Sequence, residues 1–106
     1  VVFTVVPSAD STRPETESVG LDAIRGLPAQ VEQFRRTFHF LGQSRYDISG
    51  RVARGEVYCI AHHLLESTNY VMYIRYDDQY AEIDGDGWRI SRRRVLIDWT
   101  ERRGLR

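Results

Sequence analysis

Residues 52–65 read Val-Ala-Arg-Gly-Glu-Val-Tyr-Cys-Ile-Ala-His-His-Leu-Leu, and the period of this stretch decides the fold. It is rich in β-branched and aromatic side chains and has no helical spacing, so it reads as a strand. A strand alternates, which puts Glu56, Tyr58, Ile60, His62 and Leu64 on one face and Val57, Cys59, Ala61, His63 and Leu65 on the other. Both faces are mostly apolar, so both require cover.

Working outward, the Ser49-Gly50 turn joins this strand to a partner at 42–48, and a third strand runs over 70–83. Asp84-Gly85-Asp86-Gly87 is a strong hairpin signal leading into a fourth strand, 88–99. Trp88 and Ile90 have one parity, while Val95, Ile97 and Trp99 have the other. A bulge within Arg92-Arg93-Arg94 reunites them on one face and curves the sheet. Upstream, residues 1–6 form a short buried strand and residues 7–20, rich in Pro, Ser, Thr, Asp and Glu, form a loop. Leu21, Ile24, Leu27, Val31, Phe34 and Phe38 recur at helical spacing, interrupted by Gly26 and Pro28, and predict two short helices with a bend. The expectation is an α+β fold, with a strongly curved antiparallel sheet forming a cone and helices packed on its concave side.

A chain of 106 residues supports one domain with one core. Fifteen basic residues balance fifteen acidic ones, and this neutrality argues against a dedicated binder of nucleic acid or of membrane surfaces. All fifteen basic residues are arginine, which excludes Schiff-base and lysine-base chemistry. Cys59 is the only cysteine, so no internal disulfide forms, and the expected compartment is a reducing cytoplasm. No apolar run approaches the ~20 residues that span a bilayer. The opening Val1–Val6 is too short for a signal peptide, and a chain that starts inside a strand is expected to have residues upstream.

Histidine is the main chemical candidate. His39 lies where the helical run gives way to the sheet, and the neighbours His62 and His63 point to opposite faces of their strand. Imidazole titrates near neutrality and suits proton transfer. The sequence has no H-x-H or H-E-x-x-H spacing for a metal, although His39, His62 and Asp78 can be drawn as a facial triad. Tyr58, Tyr73, Tyr76 and Tyr80 are candidates to line a pocket. Arg92-Arg93-Arg94 reads as a guard on a sheet edge, since no RNA-binding signature accompanies it. A serine elbow, a phosphate loop and a dinucleotide fingerprint are all missing.

Thr37-Phe38-His39-Phe40-Leu41-Gly42, Gly55 to His63, Arg75-Tyr76-Asp77-Asp78-Gln79-Tyr80 and Asp86-Gly87-Trp88-Arg89-Ile90 together resemble the SnoaL-like branch of the nuclear transport factor superfamily. Within it the nearest pattern is that of the scytalone dehydratases, matched at Thr37–Gly42, at Ala61-His62 and at Trp88 to Trp99. The resemblance implies that His39 and His62 face the cavity of the cone, as the residues of proton abstraction and water elimination. It also implies face-to-face dimers, and helices ahead of the first strand that close the cone. On this reading residues 1–106 are a single cone domain lacking its N-terminal helices.

Two functions follow. The first is a dehydratase- or isomerase-type enzyme needing no cofactor, acting on a small hydrophobic or polycyclic substrate. His62 and His39 are its catalytic pair, and Tyr58, Ile60, Tyr76 and Asp78 bind the ligand. The second is a non-catalytic ligand-binding module or accessory subunit built on the same cavity. Strand parity expects Val57, Cys59 and His63 to look outward, toward a homodimer interface.

Overall fold

Long antiparallel strands joined by tight turns make up most of the molecule. The computed structural model describes residues 1–9 and 11–105, and the side chain of Val31 also lies outside the description. The elements are β1 (Val2–Val6), β2 (Thr16–Val19), α1 (Leu21–Arg25), α2 (Leu27–Val31), β3 (Arg36–Ser49), β4 (Val52–Leu64), β5 (Thr68–Ile83) and β6 (Gly87–Gly104). They build one six-stranded sheet in the order β2-β1-β6-β5-β4-β3. β3 to β6 form the expected antiparallel meander, while β1 joins β6 in parallel, Val2 beside Arg92 and Val5 beside Val95. The longest strands set the long axis of the molecule, 49 Å.

Turn chemistry follows the sequence closely. Gly50 and Gly85 have φ of +60° and +80°, left-handed values that favour glycine, and they close the β3–β4 and β5–β6 hairpins. The helices stop where Gly26 separates them, with Pro28 in the first turn of α2.

Three features differ from the sequence-based expectation. Thr16–Val19 is a strand within the expected loop, paired antiparallel with β1. β3 begins at Arg36, so Phe38 and His39 belong to the sheet and not to the end of a helix. Phe34 and Phe38 mimic a helical step, but the backbone pairing of residues 36–41 with 59–64 overrides it. The curvature arises from other bulges: β6 carries an extra residue at Ser91 and another at Asp98, and β3 carries one between Leu41 and Ser44. Ser91 Oγ donates to the Gln79 carbonyl at 3.1 Å, and Asp98 takes a bidentate bond from Arg75 at 2.8 Å. The first bulge brings Ile90 onto the face of Val95 and Ile97; the second turns Trp99 to the opposite face.

Burial along β4 alternates without a break from Val52 to Leu64. The inner face holds the core: Cys59, Ala61, Ile74 and Val95 are buried together, with Phe3, Val5, Met72, Tyr76 and Ile97 packed against them. Each buried aliphatic side chain of this kind contributes about 1.5–3 kcal/mol. Small residues line this face along β4: Ala53, Gly55, Val57, Cys59 and Ala61. A Cβ at Gly55 would lie 2.8 Å from ring carbons of both Tyr46 and Tyr80. Only glycine lets both rings lie over the strand at that point.

Candidate active site on the inner face

His39 sits on β3 opposite Ala61, and His63 lies two residues farther along β4, opposite Thr37. Directly opposed residues share a face, so both imidazoles project inward. Their ring centroids are 5.9 Å apart and nearly perpendicular. Phe34, in the segment that links α2 to β3, packs on His63 at 4.9 Å. His63 is 5% exposed, whereas His39 is open to solvent. Cys59, Ala61, Met72, Ile74 and Ile97 extend the same face as an apolar wall.

The hydrogen bonding of His63 fixes its chemistry. Nδ1 lies 3.1 Å from the Tyr70 carbonyl oxygen. A carbonyl only accepts, so Nδ1 carries the proton of the neutral ring and Nε2 is left with its lone pair. Burial pulls the pKa of His63 below its usual value, opposed by the bond to Tyr70 and assisted by the positive charge that His39 and His62 can carry. A neutral imidazole with a free Nε2 is a proton acceptor.

Farther along the same face, Asp78 is fully buried. Arg93 grips it with Nε and Nη2, each at 2.8 Å, and the Tyr80 hydroxyl donates to it at 2.7 Å. Arg93 also lies over the Tyr76 ring, 4.2 Å from its centroid. Burial, and then the hydrogen bond to Asp78, raise the pKa of Tyr80 well above a free phenol; burial and the neighbouring Cys59 do the same for Tyr76. Burial likewise pushes the Cys59 thiol up, partly offset by Tyr76 and Arg93. All three groups therefore stay protonated at neutral pH.

A SnoaL-like domain model matches residues 2–94. The chain belongs to the SnoaL-like family. No curated protein sequence matches it. Among solved structures, this SnoaL-like chain is similar to a candidate scytalone dehydratase from Novosphingobium aromaticivorans: 23% identity and a TM-score of 0.74, over 97% of this chain and 68% of that one. It is also similar to a hexachlorocyclohexane dehydrochlorinase, LinA type 2, at 15% identity and a TM-score of 0.72, over 98% of this chain and 68% of that one. A third is an NTF2-like protein with a cystatin-like fold, again from Novosphingobium aromaticivorans, at 19% identity and 0.62, over 91% and 60%. At these identities the likeness speaks for the fold, an α+β cone with a curled, open sheet.

Within the SnoaL-like frame the expected site residues separate into two groups. His39, Tyr76 and Asp78 lie on the inner face; His62, Tyr58 and Ile60 lie on the outer one. The expected pairing of His39 with His62 is therefore not assembled, and His63 takes the place beside His39. Val57, Cys59 and Ala61, expected to look outward, form part of the core. The parity grouping is right and the direction is reversed. His62 instead neighbours Phe38 at 6.2 Å and accepts a bond from Asn69 Nδ2 at 2.9 Å, while Asn69 Oδ1 is buried without a partner. Among the described residues no three His, Cys, Asp or Glu side chains converge as metal ligands, so the His39–His62–Asp78 triad is not assembled either. The sequence reading missed Arg93 as the partner of Asp78. Their separation of 15 residues across the Asp84–Gly87 turn contained that pairing.

The outer face divides in two. Phe38, Phe40, Tyr58 and Trp99 are exposed there, with Trp99 stacked on Tyr73 at 4.4 Å. Beyond them lies a charged region in which Asp77 meets Arg54 and Arg94, and Arg75 meets Glu56 and Asp98. The Tyr73 hydroxyl also donates to Glu101, which keeps that phenol protonated and the carboxyl ionised.

Proposed function

We propose that this protein is a cofactor-independent enzyme of the dehydratase or isomerase type, removing a proton from a small, uncharged, largely apolar substrate held on the inner face. The observation that carries the reading is the His63 Nδ1 bond to the Tyr70 carbonyl, which leaves Nε2 as the acceptor beside an apolar wall. Nε2 takes the substrate proton, the C–H electron pair forms the new double bond, and the leaving group departs with its own electrons. His39, 5.9 Å away and open to solvent, is suited to protonate that leaving group or to exchange the proton with water. Tyr76 and the Asp78–Arg93 pair shape the far side of the face. The names of two structural neighbours, a candidate scytalone dehydratase and a dehydrochlorinase, are eliminating enzymes, which supports the same class.

A non-catalytic binding module is the second reading, and one observation favours it. Among the described residues no carboxylate bonds to either inner-face imidazole, and the buried carboxylate of Asp78 is held by Arg93 and Tyr80. The proposal extends to assembly: the exposed aromatic set on the outer face is the homodimer interface, used isologously.

Base-promoted opening of 5-nitrobenzisoxazole tests the enzyme reading without knowledge of the natural substrate. This planar, uncharged compound loses one C–H proton and breaks its N–O bond to give a coloured phenolate. The expected result is turnover above a buffer background, reduced roughly a hundredfold or more by His63→Ala, the scale of a lost general base. His62→Ala should stay within about twofold. Equal losses at the two positions would refute the inner-face assignment, and bound compound with no turnover would leave the binding module.

A further inference from the structure

The hairpin end of the inner face holds a cleft that the histidine site does not use. We infer that this cleft, walled by Tyr46, Ile48, Tyr80 and Trp88 with Ala53 at its base, binds an uncharged planar aromatic molecule of one or two rings. Its volume is about 230 Å³. A dry cavity of roughly 150 Å³ already admits benzene, so a second fused ring or a ring substituent fits here.

One wall, Tyr80, is held in place before any ligand arrives. Gly55 lacks the Cβ that would collide with the Tyr46 and Tyr80 rings, which lie 5.9 Å apart and inclined at 57°. The Tyr80 hydroxyl is engaged by Asp78, which fixes the ring and leaves its face to the cleft. Tilted ring walls of this kind favour stacking and edge-to-face contact with another flat ring, and a ring fixed in advance, as Tyr80 is, reduces the ordering cost of binding. None of the lining side chains is charged. The nearest buried charges, Asp78 and Arg93, neutralise each other through a bidentate bond. An ionised ligand would lose its hydration and find no counter-charge in return. Ile48 is 68% exposed and Trp88 40%. Gly55 precedes His63 by eight positions on β4, a separation of roughly 26 Å along an extended strand. One small molecule does not bridge the two sites.

Titration with 2-naphthol tests the inference. The protein has two tryptophans, so a Trp99→Phe variant leaves Trp88 as the only reporter. Saturable quenching of its emission is expected, with cyclohexanol, similar in polarity but not flat, giving no change. Ile48→Glu should weaken binding at least tenfold while leaving the thermal unfolding midpoint in place, because Ile48 is exposed. His63→Ala should leave the affinity within twofold whatever it does to turnover, which separates this site from the proposed enzyme. The inference is overturned by the absence of saturable quenching, by an unchanged affinity in Ile48→Glu, or by loss of the signal in His63→Ala. It is equally overturned if quenching falls as protein concentration rises, since a second copy of the chain would then occupy the cleft.

Discussion

Removing Arg93 is expected to cost more than removing Asp78, although the two form one ion pair. The Asp78 side chain is fully buried, whereas that of Arg93 is 28% exposed. Arg93→Met leaves a carboxylate in the interior with only the Tyr80 hydroxyl as a donor, and stranding a buried charge in this way costs on the order of 3–5 kcal/mol. Asp78→Asn leaves a guanidinium that reaches water, and the amide oxygen still accepts a bond, so about 1–3 kcal/mol is lost. Domains of this size have about 5–15 kcal/mol in total, so the arginine variant loses about a fifth of its stability or more. At about 4–8 °C per kcal/mol, a loss near 4 kcal/mol lowers Tm by roughly 15–30 °C. Urea unfolding followed by circular dichroism measures both variants. The double variant, with no charge left to strand, should recover at least about 1 kcal/mol relative to the sum of the single losses. Equal losses in the two single variants, or a loss below about 1 kcal/mol in Arg93→Met, would mean that the pair behaves as a wet surface bridge.

Two further outcomes are expected. Burial holds the His63 pKa below that of the unfolded chain, so its neutral form contributes stability that is fully present above about pH 6.5 and is lost as pH falls through the depressed folded value. Unfolding free energies from pH 8 to 5 should fall less steeply in His63→Phe than in the wild type, and identical slopes would contradict the burial argument. On the outer face, where Phe40 is 60% exposed on the edge strand β3, sedimentation at micromolar concentration is expected to show a dimer that Phe40→Glu converts to monomer. A monomeric wild type would remove the interface.

The sequence announced most of the meander. The Gly50 and Gly85 turns and the alternation along residues 52–64 are local signals, and local geometry obeys them. β2 was hidden because Thr-Glu-Ser-Val has no pattern of its own and becomes a strand only by pairing with β1. Which face of β4 turns inward was also hidden, since both are apolar, yet a usable cue exists in size. Gly55, Cys59 and Ala61 are small enough for the crowded inner face, whereas Tyr58 and Ile60 need the room of the outer one. Applied to the sequence, that cue selects His63 over His62. Trp99 misled for a different reason: the extra residue at Asp98 shifts its parity, and the signal, an acidic side chain bonded to Arg75, is a tertiary one.

The parallel seam between β1 and β6 has a consequence for synthesis on the ribosome. Val2 lies beside Arg92, so β1 cannot pair with β6 until 90 further residues have followed. At about 5–20 residues per second that interval is roughly 5–20 s. Each hairpin of the meander, by contrast, closes within microseconds of its second strand becoming available. The nascent chain therefore assembles from β3 toward β6 while the apolar Val2–Val6 segment remains without its long-range partner. Until β1 docks, β6 is an unpaired edge that carries Val95 and Ile97. The last seam to close is thus the one most open to pairing with another chain, and a chaperone would have its greatest effect there.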